Sequence, residues 1–374
     1  MDERFYYLAF SVFPGVGPTR FGSLLKNFGS AKNAWFAKQT DLKEILGEKL
    51  TAKFEGFKSK FSIEDYIKQL QRKNVSFVCL TEEGYPEFLK QIKNPPFVLY
   101  VLGDLSFLSP SRSPFTHLEG GNVIAVVGTR KITSYGREVT RLLTQDLVNA
   151  GFTIVSGLAF GVDSVAHQTA IDSGGKTIAV LGSGVDLCFP SSNLSLYNNI
   201  ISGNGCVVSQ YPLGEPPSKG SFPSRNRTIA GLSTAVLVTE GAEDSGALIT
   251  ADYAFKFNRK VFAVPGPITS SLSKGPYKLI EKGAKLVTRA EDILNELSIT
   301  GSIKSIRSIK GGSVRGGTKD EQKILELLEN EAVHFDQIVR EMRSNSSTIS
   351  SLLSIMEIKG LVKSSSGGFF SVSS

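Results

Sequence analysis

The segment GNVIAVVGTRKITSYG, residues 121–136, joins an unbroken apolar run to a glycine turn and then to a helix-like stretch. Its β-branched residues show no polar alternation, so both faces of the run must be covered by protein, as they are for a strand inside a parallel sheet. The same unit returns as FTIVSG, TIAVLG, CVVSQ, TAVLVTE, KVFAVPG and AKLVT, nearly every run ending in Gly or Ser before a helical segment opens. The repetition predicts a doubly wound α/β domain over residues 121–296.

Ligands of such sheets bind at the carboxyl ends of the strands, so the loops after these runs are the place to look for chemistry. In the first loop Gly128 permits a tight turn, Thr129 and Thr133 can cap, and Arg130 and Lys131 lie beside the unpaired N–H groups of a helix start. That combination predicts an anion site. It is neither GxGxxG nor a P-loop, which argues against an NAD or ATP enzyme. The second loop, VSGLAFGVDSVAHQTA (155–170), brings Gly157, Gly161 and Asp163, with His167 one turn further on. His167 reads either as a general base or, as a lone histidine four residues from an aspartate, as a helix-pair or cap contact; the second is favoured. LGSGVDLCFPSSN (181–193) adds a glycine loop with Asp186, and VTEGAEDSGALITA (238–251) carries Glu240, Glu243 and Asp244 ahead of a helix start at Ser245–Gly246. Those carboxylates could hold Mg²⁺ or do acid–base work, but acids are favoured at helix N-termini anyway, and capping is the expected role. FPSRNRTIAGLS (222–233) places two arginines one residue apart in a stretch that runs into a helix, and so calls for an anion.

Composition bounds the rest. A chain of 374 residues with 41% hydrophobic content can build two or three compact domains with real cores. No run approaches the roughly 18 apolar residues of a membrane helix, and the N-terminal MDERFYYLAF carries acids where a secretory signal carries basic charge, so a soluble, cytoplasmic protein with no membrane partner is expected. Cys79, Cys188 and Cys206 lack CxxC spacing and are expected to be buried free thiols; no metal and no cofactor is implied. A net charge of +7 leans mildly toward polyanions.

Residues 1–75 are expected to be helical, with a break at Gly15 and Gly17 and an apolar face of Phe21, Leu24, Leu25 and Phe28. This glycine hairpin reads as a packing module or as a helix-hairpin-helix presenting N–H groups to a phosphate. Residues 297–318 hold Lys304, Arg307, Lys310 and Arg315, no acid, and much Gly and Ser, the composition of a flexible basic linker. Residues 319–374 restart as three short helices, the third capped by Asn345 or Ser346, and a glycine-tipped hairpin: a winged helix. With six basic against eight acidic residues there, and no arginine in SSTISSLLSIMEIKG, a protein contact or a structural role is at least as well supported as duplex reading.

The ordered series GTRKITSYG, VSGLAFGVDSVAH, TIAVLGSGVD with FPSSN, YPLGEPP, FPSRNRTIAGLS, SGALITA, VFAVPG and GPYKLIEKGA resembles the DNA-processing protein A (DprA/Smf) family, and YPEFLKQIKNPPFVLYVLGD (85–104) extends the likeness upstream. The resemblance implies an extended Rossmann-like domain, here residues 76–296, that binds single-stranded DNA without cleaving it. It also implies a homodimer through that domain and the loading of a bacterial strand-exchange recombinase during natural transformation. Phe160 stands where many relatives have arginine, Gln210 replaces a glutamate before Tyr211–Pro212, and Lys256 with Asn258 replaces a Glu–x–Gly pattern.

On this reading Arg225 and Arg227 grip phosphates with their planar donor forks, and Arg130 faces them across the carboxyl edge. Gly128, Thr129, Gly157 and Asn226 shape the site, Lys131, Lys176, Lys219 and Lys260 extend the cationic track, and Phe222 or Phe160 stacks on a base. Alternatively one arginine, Arg227 before Arg225, is a structural partner of Asp163 or Glu240. The rival functions are a phosphoribohydrolase-type nucleotide enzyme, whose PGGxGTxxE loop this chain lacks, and a carrier of a phosphorylated cofactor.

Overall fold

The computed structural model describes residues 1–108, 122–298, 319–328, 332–342, 344–358, 360–365 and 367–372. The chain divides into two compact units, 1–303 and 304–374. The basic linker expected at 297–318 lies, apart from its first two residues, outside the described residues.

Six helices open the first unit: α1 (Glu3–Val12), α2 (Pro18–Phe28), α3 (Ala31–Phe36), α4 (Gln39–Leu46), α5 (Glu48–Lys58) and α6 (Ile63–Arg72). The expected break is real. Gly15 has φ +105°, Gly17 precedes α2 and Pro18 occupies its first turn, where a missing N–H costs nothing. Phe21 and Leu24 are buried, and Leu25 and Phe28 pack half-buried on the same cluster. At the centre of these helices Phe10 is flanked by the rings of Phe21, Trp35 and Phe54 at 5.5, 5.4 and 5.2 Å. That cluster continues through Val75, Val98 and Tyr100 to Ala179 and Val207, so the helices cover one face of the sheet.

Among the described residues nine strands form one sheet, in the order β1-β2-β6-β5-β4-β3-β7-β8-β9. β3 (Val123–Val127), β4 (Thr153–Ser156), β5 (Thr177–Val180), β6 (Gly205–Ser209), β7 (Ala235–Val238), β8 (Lys260–Ala263) and β9 (Lys285–Leu286) run parallel, each inside one of the apolar runs that predicted it. The pattern does not announce β1 (Val75–Cys79) and β2 (Val98–Gly103): β2 adds antiparallel to β6, and β1 adds antiparallel to β2. β1 is a five-residue edge strand of mixed burial, which leaves it without a clear period.

From β3 the chain moves to β4 on one side, and from β7, its neighbour on the other side, to β8. The loops therefore diverge at the carboxyl ends of β3 and β7, the place where open α/β sheets leave a crevice. Four helices border it: α7 (Ser134–Asn149) after β3, α8 (Val162–Asp172) after β4, α9 (Ser221–Leu232) before β7 and α10 (Gly246–Lys256) after it. Cys79 and Cys206 are buried and Cys188 half-buried, all three free, as expected.

The second unit has helices Lys319–Leu327, Phe335–Glu341 and Ser346–Ile358 and, among its described residues, a three-stranded sheet. Its hairpin turns at Gly367 and Gly368, φ +83° and +78°. Asn345 is the cap: its Oδ1 accepts from Thr348 N at 2.7 Å. Ile324, Ile338, Ile349, Leu353 and Met356 make a separate core.

Because Phe10 is fully buried among three other rings, Phe10→Ala is expected to cost about 3–5 kcal/mol in urea unfolding. Phe36→Ala, at a ring 68% exposed, is expected to cost less than about 1 kcal/mol.

Candidate functional site

A cleft of about 680 Å³ opens at the predicted crevice. Its floor is the turn Val127–Gly128–Thr129, and its walls are the starts of α9 and α10. Gly128 is required by close approach, since a Cβ there would overlap Val162 and the carbonyl of Glu240. Thr129 is buried and ties three elements: its N–H donates to Glu240 O at 2.7 Å, its carbonyl accepts from Val162 N at 3.1 Å, and its Oγ1 accepts from Lys131 N at 3.1 Å.

The N-terminus of α7 does not await an outside anion. Glu240, buried, accepts from Thr133 N at 3.0 Å and from Thr133 Oγ1 at 2.6 Å, while Thr133 caps Gly136 N at 3.0 Å. Glu240, expected to serve the helix start at Ser245–Gly246 that follows it, instead caps α7 from a distant loop and takes the Thr133 donors where an anion was predicted. Arg130 and Lys131, both exposed, rim the cleft instead.

Arg225 is the structural arginine. It is 5% exposed, with Nη1 3.7 Å from Asp163 Oδ2, and Asp163 also accepts from Gly157 N at 3.1 Å and Ala159 N at 3.3 Å. A Cβ on Gly157 would fall on the guanidinium, so glycine makes the space. Burial pushes Asp163 up from the ordinary carboxylate value and Arg225 down from the ordinary guanidinium value, and each charge partly offsets the shift of the other. Arg225 Nε has no hydrogen-bond partner, although the residue lines the cleft. Phe222 lies between cations, its ring centroid 5.4 Å from Arg130 Cζ and 6.0 Å from Arg225 Cζ. Asn226 Nδ2 donates to Gly246 O at 3.1 Å and joins α9 to the start of α10, and exposed Lys219 completes the rim.

Arg227 is elsewhere. The helix begins at Ser221, so both arginines lie within it, and two residues at 3.6 per turn place them on opposite sides. Arg227 Nη2 donates to the carbonyls of Lys93 and Asn94, and its Cζ sits 5.7 Å from the Phe257 centroid. Neither Asp163 nor Glu240 is its partner, and the preference for Arg227 over Arg225 as the structural arginine is reversed. Lys176 and Lys260 are also not brought to the cleft. They stand at the amino ends of β5 and β8, the opposite edge of a parallel sheet, with Lys176 over Phe107 at 4.5 Å and Lys260 paired to Glu296 at 2.6 Å. Phe160, 49% exposed, follows Ala159 of the cleft wall without lining the cleft. Ile249 and Thr250 of α10 line it and escaped the sequence reading, as neither carries charge or a glycine signal.

His167 is not paired with Asp163. It is fully buried, with Nδ1 2.6 Å from Thr177 Oγ1, and its imidazole is held neutral, the pKa pushed down to about 3 by burial and then by the Arg225 charge. Glu243 pairs with Lys278 at 3.0 Å, and no cluster of three acid, His or Cys side chains able to hold a metal occurs among the described residues.

The family model described as "DNA recombination-mediator protein A" matches residues 76–298, and one described as "DprA winged helix domain" matches 312–368. The chain belongs to the DNA-processing protein A family. It is 41% identical over 298 residues to Protein Smf of Synechocystis sp., covering 79% of this chain and 73% of that one. It is similar to the solved DprA of Streptococcus pneumoniae, with TM-score 0.67 and 33% identity over 78% of this chain and 97% of that one. It is also similar to a Helicobacter pylori DprA structure titled for its single-stranded DNA binding mode, with TM-score 0.51 and 30% identity over 60% and 95% of the two chains. The departures from the DprA pattern have local accounts. Gln210 Oε1 accepts from Thr228 Oγ1 at 3.0 Å, and Asn258 takes a left-handed φ of +55°, which asparagine tolerates where glycine is usual.

Arg225→Ala is expected to cost about 3–5 kcal/mol, because it strands a buried carboxylate; Arg227→Ala, at an arginine without a carboxylate partner among the described residues, is expected to cost less. Urea unfolding of both variants checks the order. The depressed His167 pKa also sets a pH dependence. The unfolded chain takes up this proton below about pH 6.5 and the folded chain not until about 3, so this share of stability is present above 6.5 and falls by about 1.4 kcal/mol for each pH unit on acidification. His167→Asn is expected to flatten the stability profile between pH 7 and 4.5.

Proposed function

We propose that this DprA protein grips single-stranded DNA by its phosphates in the cleft at the carboxyl ends of β3 and β7, holds it without cleaving it, and hands it to a bacterial strand-exchange recombinase during transformation. One observation carries this reading: a buried Arg225 whose Nε lacks a partner lies in a cleft rimmed by Arg130, Lys131 and Lys219, with Phe222 set between two of the cations. Cations that track a backbone beside a ring that can meet a base are the parts of a sequence-tolerant single-strand site.

A holding role without cleavage is supported by the engagement of three proton-carrying groups at the cleft and beside it, while exposed Asp244 also lines the cleft. Asp163 holds Arg225, Glu240 caps α7, and His167 is neutral and closed against Thr177. The hand-over to a recombinase draws on the description of the family model as a recombination mediator. A homodimer through the sheet domain is supported by the short open edge at β9, where Leu286 is 45% exposed. Action in the cytoplasm accords with the substrate and with the lack, among the described residues, of any helix long and apolar enough to cross a membrane. The second unit, with its excess of acidic residues, serves contacts other than the strand.

Titration with single-stranded and blunt duplex oligonucleotides over a salt series tests the reading. Single strands are expected to bind more tightly, with a log–log salt slope near −2 if about three phosphates are neutralised. Arg130→Ala, at an exposed residue, is expected to leave the fold intact and to reduce that slope by about 0.7. Duplex binding equal to single-strand binding would sink the proposal.

A further inference from the structure

A second cleft, of about 590 Å³, lies on the same helix pair as the first. α9 gives Arg225 and Asn226 to the first cleft and Arg227 to the second; α10 gives Ile249 and Thr250 to the first and Tyr253 and Lys256 to the second, with Phe257 just past its end. Thr250 and Tyr253 are three residues apart, hence neighbours on one helix face, so α10 contributes to each cleft within one turn of the other.

The second cleft concentrates cations without counter-charge. Lys93, Arg227, Lys256 and Arg259 line it, its lining contains no carboxylate, and none of the four has an acidic partner among the described residues. The two arginines are fixed: Arg227 by the carbonyls of Lys93 and Asn94, and Arg259 by Phe88 O at 3.1 Å and Gln91 Oε1 at 3.2 Å. Arg259 Nε is buried without a partner. Beside them Tyr253 and Phe257 stack at 5.9 Å and 20°, with Lys256 over Tyr253 at 5.4 Å. Four like charges held together repel one another, and a polyanion relieves that repulsion. An aromatic ledge among cations adds what an acidic peptide does not need and a nucleic acid base can use.

We infer that the Arg227–Arg259 cleft is a second station for the single strand, holding phosphates on Lys93 and Lys256 and a base against Tyr253 after the strand has crossed α10 from the Arg130 cleft. The inference rests on the single-strand reading of the first cleft and extends it. A strand long enough to reach both stations gains affinity and salt dependence; one that fills only the first does not.

The test compares oligonucleotides of about 4 and about 16 nucleotides on three proteins: the parent, the double variant Lys93→Ala with Lys256→Glu, and Arg130→Ala. Lys93 and Lys256 are exposed, and thermal melts check that the fold is kept. The double variant is expected to bind the short strand like the parent and the long one about tenfold more weakly, with a salt slope smaller by about 1.4 in magnitude. Unchanged long-strand affinity and slope would overturn the inference, as would equal losses at both lengths. Unchanged strand binding with lost binding of a poly-glutamate peptide would overturn it in favour of an acidic protein partner. Arg130→Ala is expected to weaken both lengths. If it weakens neither, the first-cleft reading fails, and this result is separate from that of the lysine variant.

Discussion

The ion pair between Arg225 and Asp163 is the constraint on which the site depends. A guanidinium inside an α/β domain is tolerable only beside a carboxylate, and a buried carboxylate only with further donors, here the N–H groups of Gly157 and Ala159. The pair therefore dictates the loop after β4. Gly157 must lack a side chain because the guanidinium occupies that space, and Gly161, at φ +75°, turns the chain so that the loop closes on the carbonyl of Thr129. Through Thr129 the loops after β3, β4 and β7 share one hydrogen-bonded frame.

The direction of the strands sorts the remaining charges. All strands from β3 to β9 point the same way, so a lysine that begins a run and an arginine that follows one sit at opposite edges of the sheet. Arg130 and Lys131 follow β3 and reach the cleft; Lys176 and Lys260 begin β5 and β8 and cannot. Helix geometry sorts the rest in the same manner. The pair α9 and α10 lines two clefts, because Arg225 and Arg227 point to opposite sides of α9 and successive turns of α10 face successive stretches of surface.

Much of this was legible in the chain of letters. Apolar runs without alternation marked the parallel strands β3 to β8, because a strand covered on both faces has no reason to alternate; β9, whose two residues are exposed, lies in such a run without that cover. The glycines at 128 and 157 and the arginine at 130 marked the loops of the crevice, because ligand approach and tight turns restrict residue type locally. The break at Gly15 and Gly17 and the winged-helix elements were equally local matters of turn and cap chemistry.

What only the tertiary structure decided were the relations between distant segments. Arg225 and Arg227 look equivalent in RNR, yet one is buried against Asp163 and the other holds the Lys93–Asn94 carbonyls, because the start of α9 at Ser221 sets which way each points. His167 chose Thr177 over the aspartate four residues away, since β5 packs beside α8 and the aspartate was already taken by Arg225. β1 and β2 became strands because the edge of β6 and the core around Tyr100 offered them partners, not because their own letters alternate. Local chemistry determines which elements form, since turns, caps and strand burial act over a few residues. Which side chains meet is decided by packing, because direction along a sheet and rotation around a helix exist only once the elements are assembled.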